Sequence, residues 1–263
     1  MSWRSFVAVG DSFTEGMDDP YPQKGVYRGW ADLVATRLAA EVGPDFRYAN
    51  LAIRGRLFPG VVSEQVPAAL AMRPDLISFA AGGNDMLRRN FDLGSLIERF
   101  FKVVEELRGS GADVILFRFS DAWVTRLPGA RITLPRGTLL NQAVEQAAKS
   151  TGAKLVNLNE DPAFHHPLMW SVDRLHLSEL GHRRVAGHVL NALGVGCDEE
   201  WLLVPPRPEP SPWLAARAAD LRWAGRYFAP WVKRRITGRS SGDLITAKRP
   251  ILGPVEPEGN AAS

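Results

Sequence analysis

Five short strand-like runs recur along the chain, each separated from the next by a stretch with helical spacing, and this alternation restricts the fold more than any other feature. The runs lie at residues 6–9, 46–51, 75–81, 113–117 and 154–158, while apolar residues recur at helical intervals over 29–40, 61–70, 93–107, 138–149 and 178–193. Strands apolar on both faces need cover on both sides, and parallel strands joined through helices cross over right-handed. The pattern therefore predicts one α/β domain over residues 1–200, a parallel five-stranded sheet between two helical layers. No repeat of 20 to 50 residues interrupts it. Composition excludes the other classes: 45% hydrophobic and 23% charged residues are ordinary for a globular protein, and the single cysteine, Cys197, rules out an internal disulfide framework or a cysteine-based zinc site. The start Met1-Ser2-Trp3-Arg4-Ser5-Phe6 carries no signal-peptide pattern, and no run of 18 apolar residues occurs, so a cytoplasmic location is expected.

The ends of the strands carry the chemistry. The first run closes in Gly10-Asp11-Ser12-Phe13-Thr14-Glu15-Gly16, placing Ser12 at the carboxyl end of a strand, where open α/β sheets bind ligands and the backbone N–H groups of a following turn can hold an anion. Asp11 or Ser12 also suits a plain helix cap. The second run leads to Gly55, the third to Gly82-Gly83-Asn84-Asp85, and a loop before the last helix holds Asp173 and His176. A serine hydroxyl attacks only when an imidazole removes its proton, and that imidazole needs a carboxylate to hold its tautomer. Asp173 and His176, three residues apart, can supply both. The Ser12 N–H, the Gly55 N–H and the Asn84 amide can then serve as oxyanion donors. His165 and His166 beside Asp173 raise a metal site, against which stand the missing helical two-histidine spacing and the lack of a carboxylate cluster; no metal and no cofactor are expected. His182 and His188, on the last helix, are read as structural.

These blocks, in this order, resemble the SGNH hydrolases, also called GDSL-type esterases and lipases: Gly10-Asp11-Ser12 with Gly16, Asn50 through Gly55, Gly82-Gly83-Asn84-Asp85, and Asp173-Arg174-Leu175-His176 with Gly181-His182. The resemblance covers residues 6–193. Phe13 departs from the leucine of the family name without touching the chemistry. It implies a flavodoxin-like three-layer α/β/α sandwich, with Ser12, Asp173 and His176 as catalytic triad and Ser12, Gly55 and Asn84 as oxyanion hole. The expected reaction is hydrolysis of a small-molecule ester, short-chain or O-acetyl, through an acyl-enzyme. A lysophospholipase or thioesterase is the rival within enzymes. A non-catalytic carbohydrate- or lipid-binding module on the same scaffold is the rival outside them. No Gly-x-Ser-x-Gly elbow favours the ordinary α/β-hydrolase fold.

The remaining residues divide differently. Residues 1–200 carry 22 basic against 24 acidic side chains, whereas 201–263 carry 10 against 5, so the net charge of +3 resides in the tail. Residues 201–211 form a proline-rich spacer expected to be extended. Residues 212–238 mix Trp213, Tyr227, Phe228 and Trp231 with Arg217, Arg222, Arg226 and Lys233, and are expected as a basic aromatic helix packed back on the domain. The same mixture suits peripheral contact with anionic lipid, and no nucleic acid partner is expected. Residues 239–263, rich in Ser, Gly, Pro and Ala, read as disordered.

Overall fold

The computed structural model describes residues 3–21, 26–88, 91–125, 129–206, 212–230 and 240–255. Strand β1 (Ser5–Gly10) enters the short helix α1 (Ser12–Glu15), followed by α2 (Gly29–Val42) and β2 (Arg47–Asn50). Then come α3 (Phe58–Gly60), a π turn (Val61–Gln65), α4 (Val66–Ala71), β3 (Leu76–Ala80) and α5 (Gly83–Met86). The rest of the domain is α6 (Leu93–Gly109), β4 (Asp113–Arg118), α7 (Ala122–Thr125), α8 (Ala130–Thr151), β5 (Lys154–Asn157) and α9 (Glu179–Leu193). Beyond it lie α10 (Trp213–Trp223) and β6 (Arg249–Pro254).

The sheet order is β5-β4-β3-β1-β2-β6, with β1 to β5 parallel. Alternation along each strand divides the core. Phe6 and Ala8 of β1 face one layer with Trp30, Leu33, Val185 and Val189 of α2 and α9, whereas Val7 and Val9 face the other with Phe100, Val104 and Val144 of α6 and α8. The three layers follow directly, since each strand must bury both faces. Strand order reverses between β1 and β3. Ligands of open α/β sheets bind beside such a switch point, at the carboxyl ends of the strands, and Ser12 and Asn84 follow those two strands.

Two local departures from the expected elements have clear causes. The stretch read as a helix over 61–70 opens at Phe58 and passes through the π turn, where Val66 N bonds back to Val61 O. Pro67, just beyond it, has no N–H to give the α-helical ladder, and the widened turn absorbs that loss. The helix expected over 138–149 starts at Ala130 and runs through Pro135, which removes one ladder bond near its beginning.

The larger departure is at the tail. The sheet has six strands, not five, because Arg249–Pro254, within the segment read as disordered, pairs antiparallel with β2: Arg47 with Pro254, Tyr48 with Gly253 and Asn50 with Arg249, across a bulge. Proline is tolerated there because β6 is an edge strand with an outward side free of ladder bonds. Of the proline-rich spacer, 207–211 lie outside the described residues, as do 231–239 with Trp231 and Lys233, and 256–263. Among the described residues no helix is long and apolar enough to cross a membrane.

Candidate active site

Gly10 is required where β1 ends: a Cβ there would lie 2.6 Å from Thr14 Oγ1 and 2.7 Å from Ala80 O. Its N–H donates to Gln65 Oε1 and its C=O accepts from Gln65 Nε2, each at 2.9 Å, and it is the π turn that carries the buried Gln65 there. Asp11 caps α1, its Oδ1 accepting from Phe13 N at 3.1 Å, so Ser12 occupies the first helical position. Phe13 turns into the core against Trp30, Phe117 and Phe119. The family's leucine is thereby replaced by a larger apolar anchor of the same turn.

The loop before α9 is folded by its own side chains. Asp173 Oδ1 accepts the N–H groups of Leu175 and His176, each at 2.9 Å, and Arg174 takes a positive φ of 60° to allow the turn. This local closure is what a three-residue spacing achieves: the second carboxylate oxygen meets His176 Nδ1 at 2.5 Å, and His176 Nε2 lies 3.1 Å from Ser12 Oγ. Ser178 then caps α9 by accepting from Gly181 N. Burial alone pushes the Asp173 carboxyl up, but the hydrogen bond and charge of His176 and the two backbone donors outweigh it and hold it at about 2. Burial works against a charged His176, yet the Asp173 bond and charge raise its pKa above the ordinary imidazole value.

Asn84, at the start of α5, donates from Nδ2 to Asp11 Oδ2 at 3.0 Å and to Arg56 O at 3.1 Å. It thus joins the turn after β3 to the serine turn and to the turn after β2. That last turn carries Gly55 at φ +71°, a conformation that side chains disfavour. Its approach to Ser12 is fixed by Arg54, whose N–H donates to Glu15 Oε2 at 2.7 Å and whose guanidinium pairs with the buried Glu15 carboxylate. Asp85 Oδ2 accepts Phe58 N at 2.8 Å and holds the far side of the same loop. Ser12, Gly55, Asn84, Asp173 and His176 therefore lie on linked turns at one end of the sheet.

Sequence reading missed Asp11, Glu15, Arg54 and Gln65 as site residues. Asp11 is buried, and that burial pushes its carboxyl up to about 6 despite the Phe13 and Asn84 bonds. Its place next to Ser12 in the motif was the available signal. His182, read as structural, is buried against the site: Trp30 N donates to its Nδ1 at 3.3 Å and its Nε2 contacts Met17 O at 3.1 Å. Burial depresses its pKa to about 4. His188 bonds Asp161 at 2.6 Å beside the buried Arg184. The histidine pair does not converge: His166 accepts Leu168 N and contacts Pro206 O, while His165 is exposed and 3.9 Å from Asp121. Among the described residues, Asp18, Asp173 and His176 are the group whose ligand atoms cluster as a metal site requires, and two of the three are already committed to each other.

A cavity of about 110 Å³ opens beside Ser12 and His176. Besides Ser12 and His176 its polar lining is Asp11, Asn84, Ser120 and His182, and the remaining walls are mainly apolar, Phe119, Leu158, Phe164 and Trp170 among them.

The family model described as the GDSL-like Lipase/Acylhydrolase family matches residues 8–184. The chain belongs to that family. The curated esterase TesA of Pseudomonas aeruginosa is 32% identical over 114 residues, a match covering 43% of this chain and 53% of TesA. The chain thus spans about half the length of that curated relative. A crystal structure of TesA superposes with a TM-score of 0.56 at 25% identity, covering 72% of this chain and 97% of that one. Axe2, an acetylxylan esterase from Geobacillus stearothermophilus, gives a TM-score of 0.58 at 22% identity, over 77% of this chain and 97% of its own. The psychrotrophic esterase EstA from Pseudoalteromonas gives 0.56 at 18% identity, over 73% and 97%. The family match ends before α10 and β6, which are additions of this chain to the matched region.

Proposed function

We propose that this chain is a serine esterase that cleaves small acyl esters through an acyl-enzyme. The observation that carries the reading is the continuous relay from Ser12 Oγ through His176 to Asp173, with contacts of 3.1 and 2.5 Å. Ser12 Oγ attacks the ester carbonyl carbon while His176 Nε2 takes the hydroxyl proton. The imidazolium so formed is stabilised by Asp173, and its raised pKa suits a group that must hold a proton briefly. The carbonyl oxygen gains the negative charge and is met by the Ser12 and Gly55 N–H groups and by Asn84, whose hydrogen shared with Asp11 turns to it. Collapse expels the alcohol, protonated by His176. Water, deprotonated by the same imidazole, then releases the acid and restores Ser12.

The acyl group enters the apolar cavity. Its volume of about 110 Å³ suits a short acyl chain. The likeness to the esterase TesA supports the same class. A fluorophosphonate probe tests the mechanism: wild type is labelled once per chain, and Ser12→Ala takes no label and loses on the order of 10⁴- to 10⁶-fold in kcat, as does His176→Ala. A folded Ser12→Ala protein retaining a tenth of the wild-type rate defeats the reading. A p-nitrophenyl ester series from acetate to palmitate reads the chain length, with a maximum at the short end expected and a rise toward palmitate pointing to a lipid substrate instead. Activity is expected to survive EDTA.

A further inference from the structure

We propose that residues 240–255, beyond the family match, form a strap that sets the geometry of both turns bearing the serine and the Gly55 donor, with Lys248 as its positioning residue. The proposal rests on the serine esterase reading above.

Three contacts carry it. At one end, a compact turn closes on itself through Ser240 N to Asp243 Oδ2 at 2.8 Å and Ile245 N to Gly242 O at 3.1 Å. This turn lies directly on the loop after β2. A Cβ on Gly55 would be 2.3 Å from Ser240 Oγ, and a Cβ on Gly242 would be 2.1 Å from Arg54 O and 2.9 Å from Ile53 Cγ2. The backbone of Gly242 thus lies against that of Arg54 at a distance that leaves no room for a side chain, and the Ser240 hydroxyl fills the space beside Gly55. The loop so pressed is the one whose Arg54 reaches Glu15 of α1 and whose Arg56 O accepts from Asn84.

At the centre, Lys248 is nearly buried, with its side chain 12% exposed. All three ammonium donors are used: on Tyr27 O at 2.9 Å, on Arg28 O at 2.6 Å and on Asp32 at 2.9 Å. The two carbonyls lie at the entry to α2, where Gly29 packs on Gly16, the cap of the serine helix, so closely that a Cβ on Gly29 would be 2.2 Å from Gly16 Cα. Asp32 continues the path inward: Tyr48 OH donates to it at 2.7 Å, Asn50 Nδ2 donates to Tyr48 OH at 3.0 Å and also to Thr14 O, within α1, at 2.9 Å. A hydrogen-bonded chain therefore runs from Lys248 to the helical turn that carries Ser12. At the far end, β6 pairs with β2 along Tyr48 and Asn50, the residues of that same chain.

Burying an ammonium costs far more than any surface role would justify unless its donors are met; here two meet carbonyls at the entry to α2, and the third meets Asp32, from which hydrogen bonds lead through Tyr48 and Asn50 to α1. Catalytic groups misplaced by even an ångström lose rate steeply, so loosening the strap should lower turnover and leave ground-state binding in the cavity, which the strap does not line, nearly unchanged.

The test uses the full chain carrying Lys248→Met and, separately, Gly242→Ala, which disturbs the strap without altering charge. On p-nitrophenyl butyrate, at a temperature well below each variant's melting point, kcat should fall on the order of 10- to 100-fold with KM within about twofold. Hydrogen exchange of the amides in residues 12–16 and 53–56 should rise in the same variants. Wild-type kcat together with unchanged exchange in Gly242→Ala, or in a Lys248→Met protein that folds, overturns the strap. Exchange does not depend on turnover. A wild-type protein that exchanges slowly at these amides but takes no fluorophosphonate label at Ser12 therefore refutes the esterase reading itself, and with it the catalytic role of the strap.

Discussion

Asp173 does three tasks with two oxygens, and the arrangement makes the charge state of His176 the property on which the proposed chemistry turns. Because Asp173 raises the pKa of His176, the imidazole is neutral and able to act as base only above a value higher than the ordinary ~6.5. The profile of kcat/KM should therefore rise with pH through a limb above about 6.5, and Asp173→Asn should move that limb down while lowering the plateau. The measurement is a pH series on an uncharged ester; a limb below 6 that Asp173→Asn leaves in place removes His176 from the role of base. Asn84 gives a second test. Asn84→Ala should lower kcat by roughly 10²- to 10³-fold with KM little changed, since an oxyanion donor is used chiefly in the transition state. A variant whose sole defect was a higher KM would instead place Asn84 among ground-state binding groups.

The short helix α1, only four residues long, has little stability of its own and is held in place by what packs against it. Gln65 satisfies the backbone before it, Asn50 binds its Thr14 carbonyl, Arg54 pairs with its Glu15, and Gly29 lies on its Gly16 cap. The last contact admits no side chain from either partner. Gly29→Ala would place a methyl 2.2 Å from Gly16 Cα at a residue of φ +73°. A left-handed non-glycine costs about 1–2 kcal/mol and overpacking about 1–3 more, so a loss of roughly 2–5 kcal/mol is expected in urea unfolding. An effect below about 0.5 kcal/mol would mean that the two turns separate easily and that α1 is not clamped there. Elements of this kind mark the boundary of what sequence discloses. Strands β1, β3 and β4 were legible because a buried parallel strand is almost entirely apolar, the more polar β2 and β5 because they fall between helical segments, and Asp173 with His176 was legible because both partners sit in one loop. Glu15 with Arg54, 39 residues apart, and Lys248 with Asp32 were not, since nothing in spacing records which charges meet once the chain is folded. Strand β6 was hidden for a related reason: Pro250, Gly253 and Pro254 give it the composition of a loop, and only the open edge of β2 makes it a strand.

At the scale of the whole molecule, two buried groups near the site load the fold in opposite directions as pH falls. His182 has its folded pKa depressed from about 6.5 to about 4 by burial, so the unfolded chain takes the proton first; the stability it confers is complete above about 6.5 and is lost as pH falls to 4, about 3 kcal/mol in all. Asp11 has its folded pKa raised from 3.8 to about 6, again by burial, so here the folded state takes the proton first and stability is gained as pH falls through 6 toward 3.8, by a similar amount. The two slopes nearly cancel between pH 6.5 and 4. The raised pKa of His176 acts in the same sense as Asp11, favouring the folded state on acidification, and the charge of Asp11 contributes to that rise. Removing the Asp11 charge should therefore unmask His182. Asp11→Asn keeps an oxygen to cap Phe13 N but no longer gains a proton, and it also lowers the pKa of His176. Both changes act in one direction. Urea unfolding of wild type and Asp11→Asn at pH 7 and pH 4.5 isolates the effect, because groups common to both proteins drop out of the double difference. Wild type should change little from these groups, while the variant should lose about 2–3 kcal/mol more than wild type on going to pH 4.5, at unchanged m-value. Equal acid losses in the two proteins would show that Asp11 is ionised at pH 4.5 in the folded state, and that its burial beneath Asn84 does not hold it protonated.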